Sequence, residues 1–178
     1  MQSIKNIFRN TFQRAQTIEP SKVAYGALTV VNVACAVHLF LNHVGSISFV
    51  AGPSMLPTMS PSGEMVLESR LITPDSFKRG QLITYISPLN PSRIVCKRLI
   101  GLPGDIICVD PTGNVVPSTE HVVVPKGHLW LAGDNAEASR DSRMYGPVSM
   151  ALVRGRLVAK VWPLRDAGFF KNTFEYID

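Results

Sequence analysis

Ile94-Val95-Cys96-Lys97-Arg98-Leu99-Ile100-Gly101-Leu102-Pro103-Gly104-Asp105 decides the fold of this chain. Its first seven residues are mostly β-branched or apolar, and the remainder brings Gly, Pro and Asp, so the stretch reads as a strand running into a turn. On a period of two, Val95, Lys97 and Leu99 share one face, while Cys96, Arg98 and Ile100 share the other. Lys97 is therefore flanked by apolar neighbours, and Arg98 is left to be solvated or paired. A lysine that serves as a general base near neutral pH needs its pKa brought down from about 10.4 to about 8. That is a burial penalty of roughly 3 to 4 kcal/mol, within the range buried lysines show. Taken alone, Lys97 is better read as an ordinary lysine snorkelling at a sheet edge.

Outward from this strand the same grammar repeats. Met65 to Glu68, Gln81 to Ser87, Asp105 to Val109, His121 to Val124, His128 to Leu131 and Leu152 to Trp162 read as further short strands. Breaks fall at Thr73-Pro74-Asp75, Ser87-Pro88-Leu89-Asn90-Pro91, Pro111-Thr112-Gly113-Asn114 and Gly133-Asp134-Asn135. The spacing predicts a mainly β, antiparallel domain over residues 44–178, with no long amphipathic helix and no internal repeat.

What precedes the domain has a different character. No Asp, Glu, Lys or Arg occurs from Val23 to Gly63. Val23 to Leu41 is rich in Val, Ala and Leu, and as a helix rising about 1.5 Å per residue it matches the hydrocarbon core of a bilayer. Residues 23–43 are thus expected to form a retained transmembrane anchor, since the apolar run exceeds an ordinary signal-peptide core. In residues 1–22, Ile4, Ile7, Phe8, Phe12 and Ala15 recur at helical spacing among Lys5, Arg9 and Arg14, with no acid before Glu19. That is the pattern of a mitochondrial presequence and also of a positive flank that stays inside, which would place the domain in the opposite compartment.

The net charge of +5 is uneven. Four basic residues against Glu19 put most of it in the first 22 positions, and the remaining 14 basic and 12 acidic residues leave the domain only slightly positive. A nucleic-acid binder would carry its basic excess on the fold, so no nucleic-acid partner is expected. Cys35, Cys96 and Cys108 make no Cys-x-x-Cys pair and have no histidines at zinc spacing, so neither a metal site nor a disulfide framework is legible.

Inside the uncharged stretch lies Gly52-Pro53-Ser54-Met55-Leu56-Pro57-Thr58. A serine between prolines is common turn chemistry. With Lys97 it becomes the equipment for peptide-bond cleavage without histidine: a hydroxyl nucleophile and an amine base. A Ser-His-Asp hydrolase would have to recruit His121 or His128 with Asp105 or Asp134, and the Gly-x-Ser-x-Gly elbow is lacking.

Together these blocks resemble the type I signal peptidase family, in its mitochondrial inner-membrane protease branch. Ser54 to Thr58 is similar to the family's nucleophile motif and Lys97 to Asp105 to its base motif. Gly133-Asp134-Asn135-Ala136-Glu137-Ala138-Ser139-Arg140-Asp141-Ser142-Arg143-Met144-Tyr145-Gly146-Pro147-Val148 resembles its last box. The resemblance implies Ser54 as nucleophile, Lys97 as general base, Ser139 as the hydroxyl that orients the lysine amine, and Asp141 with Arg143 as a supporting ion pair. For that pair the plainer alternative is a surface salt bridge, contributing under about 1 kcal/mol. Some bacterial relatives carry a hydroxyl residue where this chain has Gly52, and Pro53 has no N–H. Besides the Ser54 amide, the oxyanion donor is then the Gly52 amide or a bound water.

The resemblance further implies no cofactor, precursor proteins as substrates, contact with membrane lipid, and a related second catalytic subunit as partner. It implies an active site facing the intermembrane space, where sorting signals are removed. Val95-Cys96-Lys97-Arg98 and Trp162-Pro163-Leu164 lean towards the first subunit of that branch rather than the bacterial form. Phe49, Val50, Met55 and Leu56 would touch the interface or line a cleft for an extended substrate with small side chains before the cut. The alternatives of another class are a self-cleaving Ser/Lys repressor, which should carry a DNA-binding helical domain, and a non-catalytic membrane-tethered β module.

Overall fold

The structure is a computed structural model that describes residues 19–111, 113 and 117–172. The amphipathic segment predicted before Glu19 lies outside the described residues. The chain divides into two units, Met1–Leu41 and Asn42–Asp178.

Helix α1 (Pro20–His43) contains Lys22 as its only formally charged residue and buries none of its side chains. At 24 residues and a mean hydropathy of 1.8 it is long and apolar enough to cross a membrane. Its apolar groups point all round, which suits hydrocarbon better than water.

The second unit is mainly antiparallel β. Strands β1 (Gly45–Phe49), β2 (Met65–Ser69), β3 (Leu82–Ser87), β4 (Asn90–Gly101), β7 (His128–Ala132), β8 (Val148–Ser149) and β9 (Val153–Trp162) run in the order β1-β2-β9-β3-β4-β7-β8. A short β10 (Gly168–Phe169) joins β9, and β5 (Ile106–Cys108) pairs with β6 (His121–Val123) in a separate two-stranded sheet. The seven strands expected from the sequence are all present.

Among the departures from expectation, one boundary and one strand have clear physical reasons. The break at Ser87 to Pro91 shrinks to Pro88-Leu89, because Ser87 already pairs with Asn90, and β4 starts inside the supposed turn. Strand β1 lay unnoticed in the uncharged run; it forms because Ser46, Ile47, Ser48 and Phe49 find a register on Glu68, Leu67, Val66 and Met65.

The two larger of three apolar clusters hold the main sheet. One joins Ile83, Tyr85, Leu99, Leu129, Leu131 and Val148; the other joins Met55, Met59, Val66, Leu82 and Leu157, with Cys96 against it. Each such side chain, fully buried, contributes about 1.5 to 3 kcal/mol. The second cluster matters for chemistry, since Met55 and Met59 follow Ser54 in its loop. Cys35, Cys96 and Cys108 are free thiols.

Candidate active site

The Ser54 loop is shaped by its neighbours. Gly52 has φ +108°, a conformation that side-chain-bearing residues rarely adopt. Pro53 then opens a 3-10 turn over Pro53–Met55, where its fixed φ is already right and its missing N–H costs nothing. The Leu56 N–H closes the turn on the Pro53 carbonyl at 3.2 Å, and the Met59 N–H donates to that of Met55 at 2.9 Å. Met55 and Met59 are buried in one cluster, so the turn is anchored by apolar side chains that follow Ser54, while Ser54 itself stays half-buried.

Lys97 projects from β4 opposite Ile83 of β3. It is 4% exposed, and its strand neighbour Leu99 is fully buried, as the alternation predicted. Among the described residues it belongs to none of the ion pairs. Burial lowers its pKa from the ordinary lysine value; the negative charge of Asp141 opposes the shift without cancelling it. Ser54 and Lys97 line one cleft of about 510 Å³. Its walls include Val50, Met55, Val66 and Leu157, and it also holds Arg140 and the buried carboxylate Glu68.

Asp141 is completely buried, with Arg143 beside it. One Asp141 oxygen accepts from Arg143 Nη2 at 2.6 Å, from the Gly133 N–H at 2.7 Å and from the Ser139 hydroxyl; the other accepts from Arg143 Nε at 2.9 Å and from the Arg143 backbone N–H. Burial alone would raise the carboxyl pKa, but these donors outweigh it and hold Asp141 below the ordinary carboxylate range. The plainer alternative, a salt bridge on the surface, does not describe a pair whose carboxylate is completely buried. Asp141 also caps the short helix α2 (Ser142–Tyr145), fixing the chain direction after Ser139. With its proton given to Asp141, the Ser139 oxygen is left as an acceptor.

Residues that sequence reasoning passed over join these parts. The Asn135 backbone N–H donates to the Ser54 carbonyl at 3.1 Å, and its side-chain amide donates to the Pro53 carbonyl at 3.3 Å. A Cβ on Gly133 would fall on the Ser139 side chain and within 2.6 Å of the Ser54 carbonyl oxygen, so only glycine lets those segments meet. Arg98 holds Asp134 in a bidentate pair, at 2.7 Å from Nε and 2.6 Å from Nη2, and also donates to Thr58 Oγ1 at 3.0 Å; Thr58 in turn donates to Asp134 at 2.5 Å. One ionic knot thus ties the serine block, the lysine block and the third block together. The turn-forming look of Gly133-Asp134-Asn135 was the only sequence signal for it.

The Gly52 amide is not free to serve as an oxyanion donor in this structure, because it donates to the Pro61 carbonyl at 2.8 Å. The loop carrying Pro61 is secured by Glu64, which accepts from Lys160 at 2.6 Å. Since Pro53 has no N–H, the Ser54 amide is what remains of this turn. His121 and His128 lie on β6 and β7, and neither lines the cleft. Each Nδ1 lies at hydrogen-bond distance from a backbone carbonyl two residues earlier.

Known proteins resemble the chain over most of its length. Residues 23–116 and 111–162 match the model for "Signal peptidase, peptidase S26". Mitochondrial inner membrane protease subunit 1 of Schizosaccharomyces pombe is 41% identical over 76% of this chain and 85% of its own length. The human protein of the same name is 39% identical over 79% of this chain and 84% of its own. Mitochondrial inner membrane protease subunit 2 of Saccharomyces cerevisiae is 36% identical over 68% of this chain and 71% of its own.

Proposed function

This chain belongs to the signal peptidase family, peptidase S26, and is a serine peptidase; from that premise we propose that it works through a Ser54–Lys97 dyad to remove sorting peptides from proteins delivered to the mitochondrial intermembrane space. The observation that carries the dyad is the shared cleft, which a half-buried Ser54 and a buried Lys97 of lowered pKa both line.

The neutral Lys97 amine takes the Ser54 hydroxyl proton as Oγ attacks the scissile carbonyl. The Ser54 N–H stabilises the oxyanion. Lys97 returns its proton to the leaving amine, then takes one from the water that hydrolyses the acyl-enzyme. Ser139, its own proton held by Asp141, accepts from the Lys97 amine and aims the nitrogen lone pair at Ser54. Arg143 keeps Asp141 ionised, and so keeps Ser139 an acceptor.

The open edge of β4 supplies the substrate track. Strand β7 pairs with β4 only from Arg98 onward, while five consecutive residues, Arg93 to Lys97, line the cleft. Consecutive lining residues fit a strand edge rather than a strand face. An extended substrate adds to that edge by backbone hydrogen bonds, with small side chains next to the cut.

The names of the relatives support placement in the mitochondrial inner membrane and a related second subunit as partner. Residues 23–43 are the anchor, 1–22 the matrix-side segment and 44–178 the catalytic domain facing the intermembrane space; α1 and the uneven charge support that arrangement. The test is to incubate the purified protein, alone and with its partner subunit, with candidate precursors and to sequence the new N-termini. Cleavage by wild type and none by Ser54→Ala is expected; equal behaviour of the two would remove the proposal.

A further inference from the structure

The cleft that holds Ser54 and Lys97 is rich in arginine. Four positions back from Lys97 along β4, Arg93 also lines it, about 13 Å away at strand rise. Arg154, at the start of β9, and Arg70, just beyond β2, line the cleft as well. Among the described residues Arg93 and Arg154 take part in no ion pair.

The carboxylate that lines this cleft is already engaged. Glu68 accepts from Thr84 at 2.7 Å and from Ser46 at 3.3 Å, and Arg70 reaches it at 4.0 Å. Arg70 is engaged as well, donating to the Asn42 carbonyl at 3.0 Å and to the Ser46 hydroxyl at 3.3 Å, with its buried Nε left without a hydrogen-bond partner. Four guanidinium groups, those of Arg70, Arg93, Arg140 and Arg154, therefore share the cleft with one internal carboxylate, in a domain that is otherwise close to electrical balance. Guanidinium is built to hold a carboxylate through paired N–H donors.

We propose that Arg93, with Arg154 in the same cleft, receives an acidic side chain of the substrate about four residues from the bond that is cut. A peptide laid along β4 advances residue for residue with it, so the substrate position opposite Arg93 is four removed from the position opposite Lys97. The inference rests on the protease reading and on the β4 track.

The test uses peptides spanning a site the enzyme cuts, with Glu, Gln or Lys placed four residues before or four residues after the scissile bond. Cleavage of the parent peptide by wild type and not by Ser54→Ala checks the protease reading separately; no cleavage at all would remove both. At one of the two positions Glu is expected to raise kcat/KM about tenfold over Gln, through KM, with Lys the poorest. In Arg93→Gln and Arg154→Gln that gain shrinks, and in Arg93→Glu the preference turns towards Lys. Arg93 is exposed, so its variants are expected to melt with the wild type. Equal kcat/KM for the three peptides at both positions, or a Glu preference untouched in the Arg93 and Arg154 variants, would overturn the proposal.

Discussion

The Asn135 backbone N–H donates to the carbonyl of Ser54 at 3.1 Å, so the loop that leads to Ser139 and Asp141 also holds the turn that presents the serine. The two segments pack with no room for a side chain between them. Gly133→Ala should therefore fail on both counts. The new methyl has backbone on one side and Ser139 on the other, so relief requires parting the segments; a loss of about 1 to 3 kcal/mol is expected by thermal or urea unfolding. Activity should fall further than stability, and peptide cleavage measured well below the melting temperature separates the two.

Lys97 should set the pH dependence of both activity and stability. Activity rises with pH through its lowered pKa, and Lys97→Arg is inactive because guanidinium does not deprotonate. For stability the sign is set by proton counts. Between the folded pKa and the ordinary value of 10.5 the unfolded chain binds more protons at this position, so wild type gains stability as pH rises through that window. Lys97→Met is expected to be inactive yet more stable than wild type at low pH, with the difference narrowing towards pH 10.5. Unfolding curves at several pH values check it, and a wild-type advantage at low pH would contradict a burial penalty.

Asp141→Asn leaves Arg143 as a half-buried cation without its carboxylate, and breaks the bonds that the buried Asp141 accepts from Gly133 and Ser139. The expected cost is about 3 to 5 kcal/mol at neutral pH. Because the folded pKa lies below the ordinary 3.8, the stability from this carboxylate is fully present above pH 3.8 and is lost as pH falls through the lower folded value. Wild type and variant should therefore converge in strong acid, which melting curves from neutral pH down to pH 2 would trace.

Arg98→Lys keeps the charge and loses the fork. A single ammonium does not reproduce the two bonds to Asp134 together with those to Thr58 and to the Gly80 carbonyl. A loss of about 1 to 3 kcal/mol and a lower kcat are expected, measured by unfolding and steady-state cleavage. Asp134→Asn should behave similarly, and the double variant should cost less than the two single losses added, since both break one knot.

The strands and the burial of Lys97 were legible because they arise from local pattern: alternation, β-branched residues and turn residues act over a few positions. The fully buried Leu99 beside a buried Lys97 is what that pattern demands. The Arg98–Asp134–Thr58 knot was not legible. Its members are 36 and 76 positions apart, and a polar side chain's partner is decided by how the sheet folds over rather than by its neighbours in sequence. Likewise nothing local announces that Gly133 must be glycine, or that the Gly52 amide is occupied by Pro61. Strand β1 escaped notice because its alternation covers only five residues and its value lies in pairing with β2.

The unpaired stretch of β4 also bears on how the molecule avoids its own kind. A bare strand edge is a template for any extended chain, including another copy of the same sheet. Pro91 has no N–H to donate there, and Arg93 sets a positive charge that a second identical edge would have to meet with its own. The groove can thus lie open between substrates without becoming a seed for aggregation.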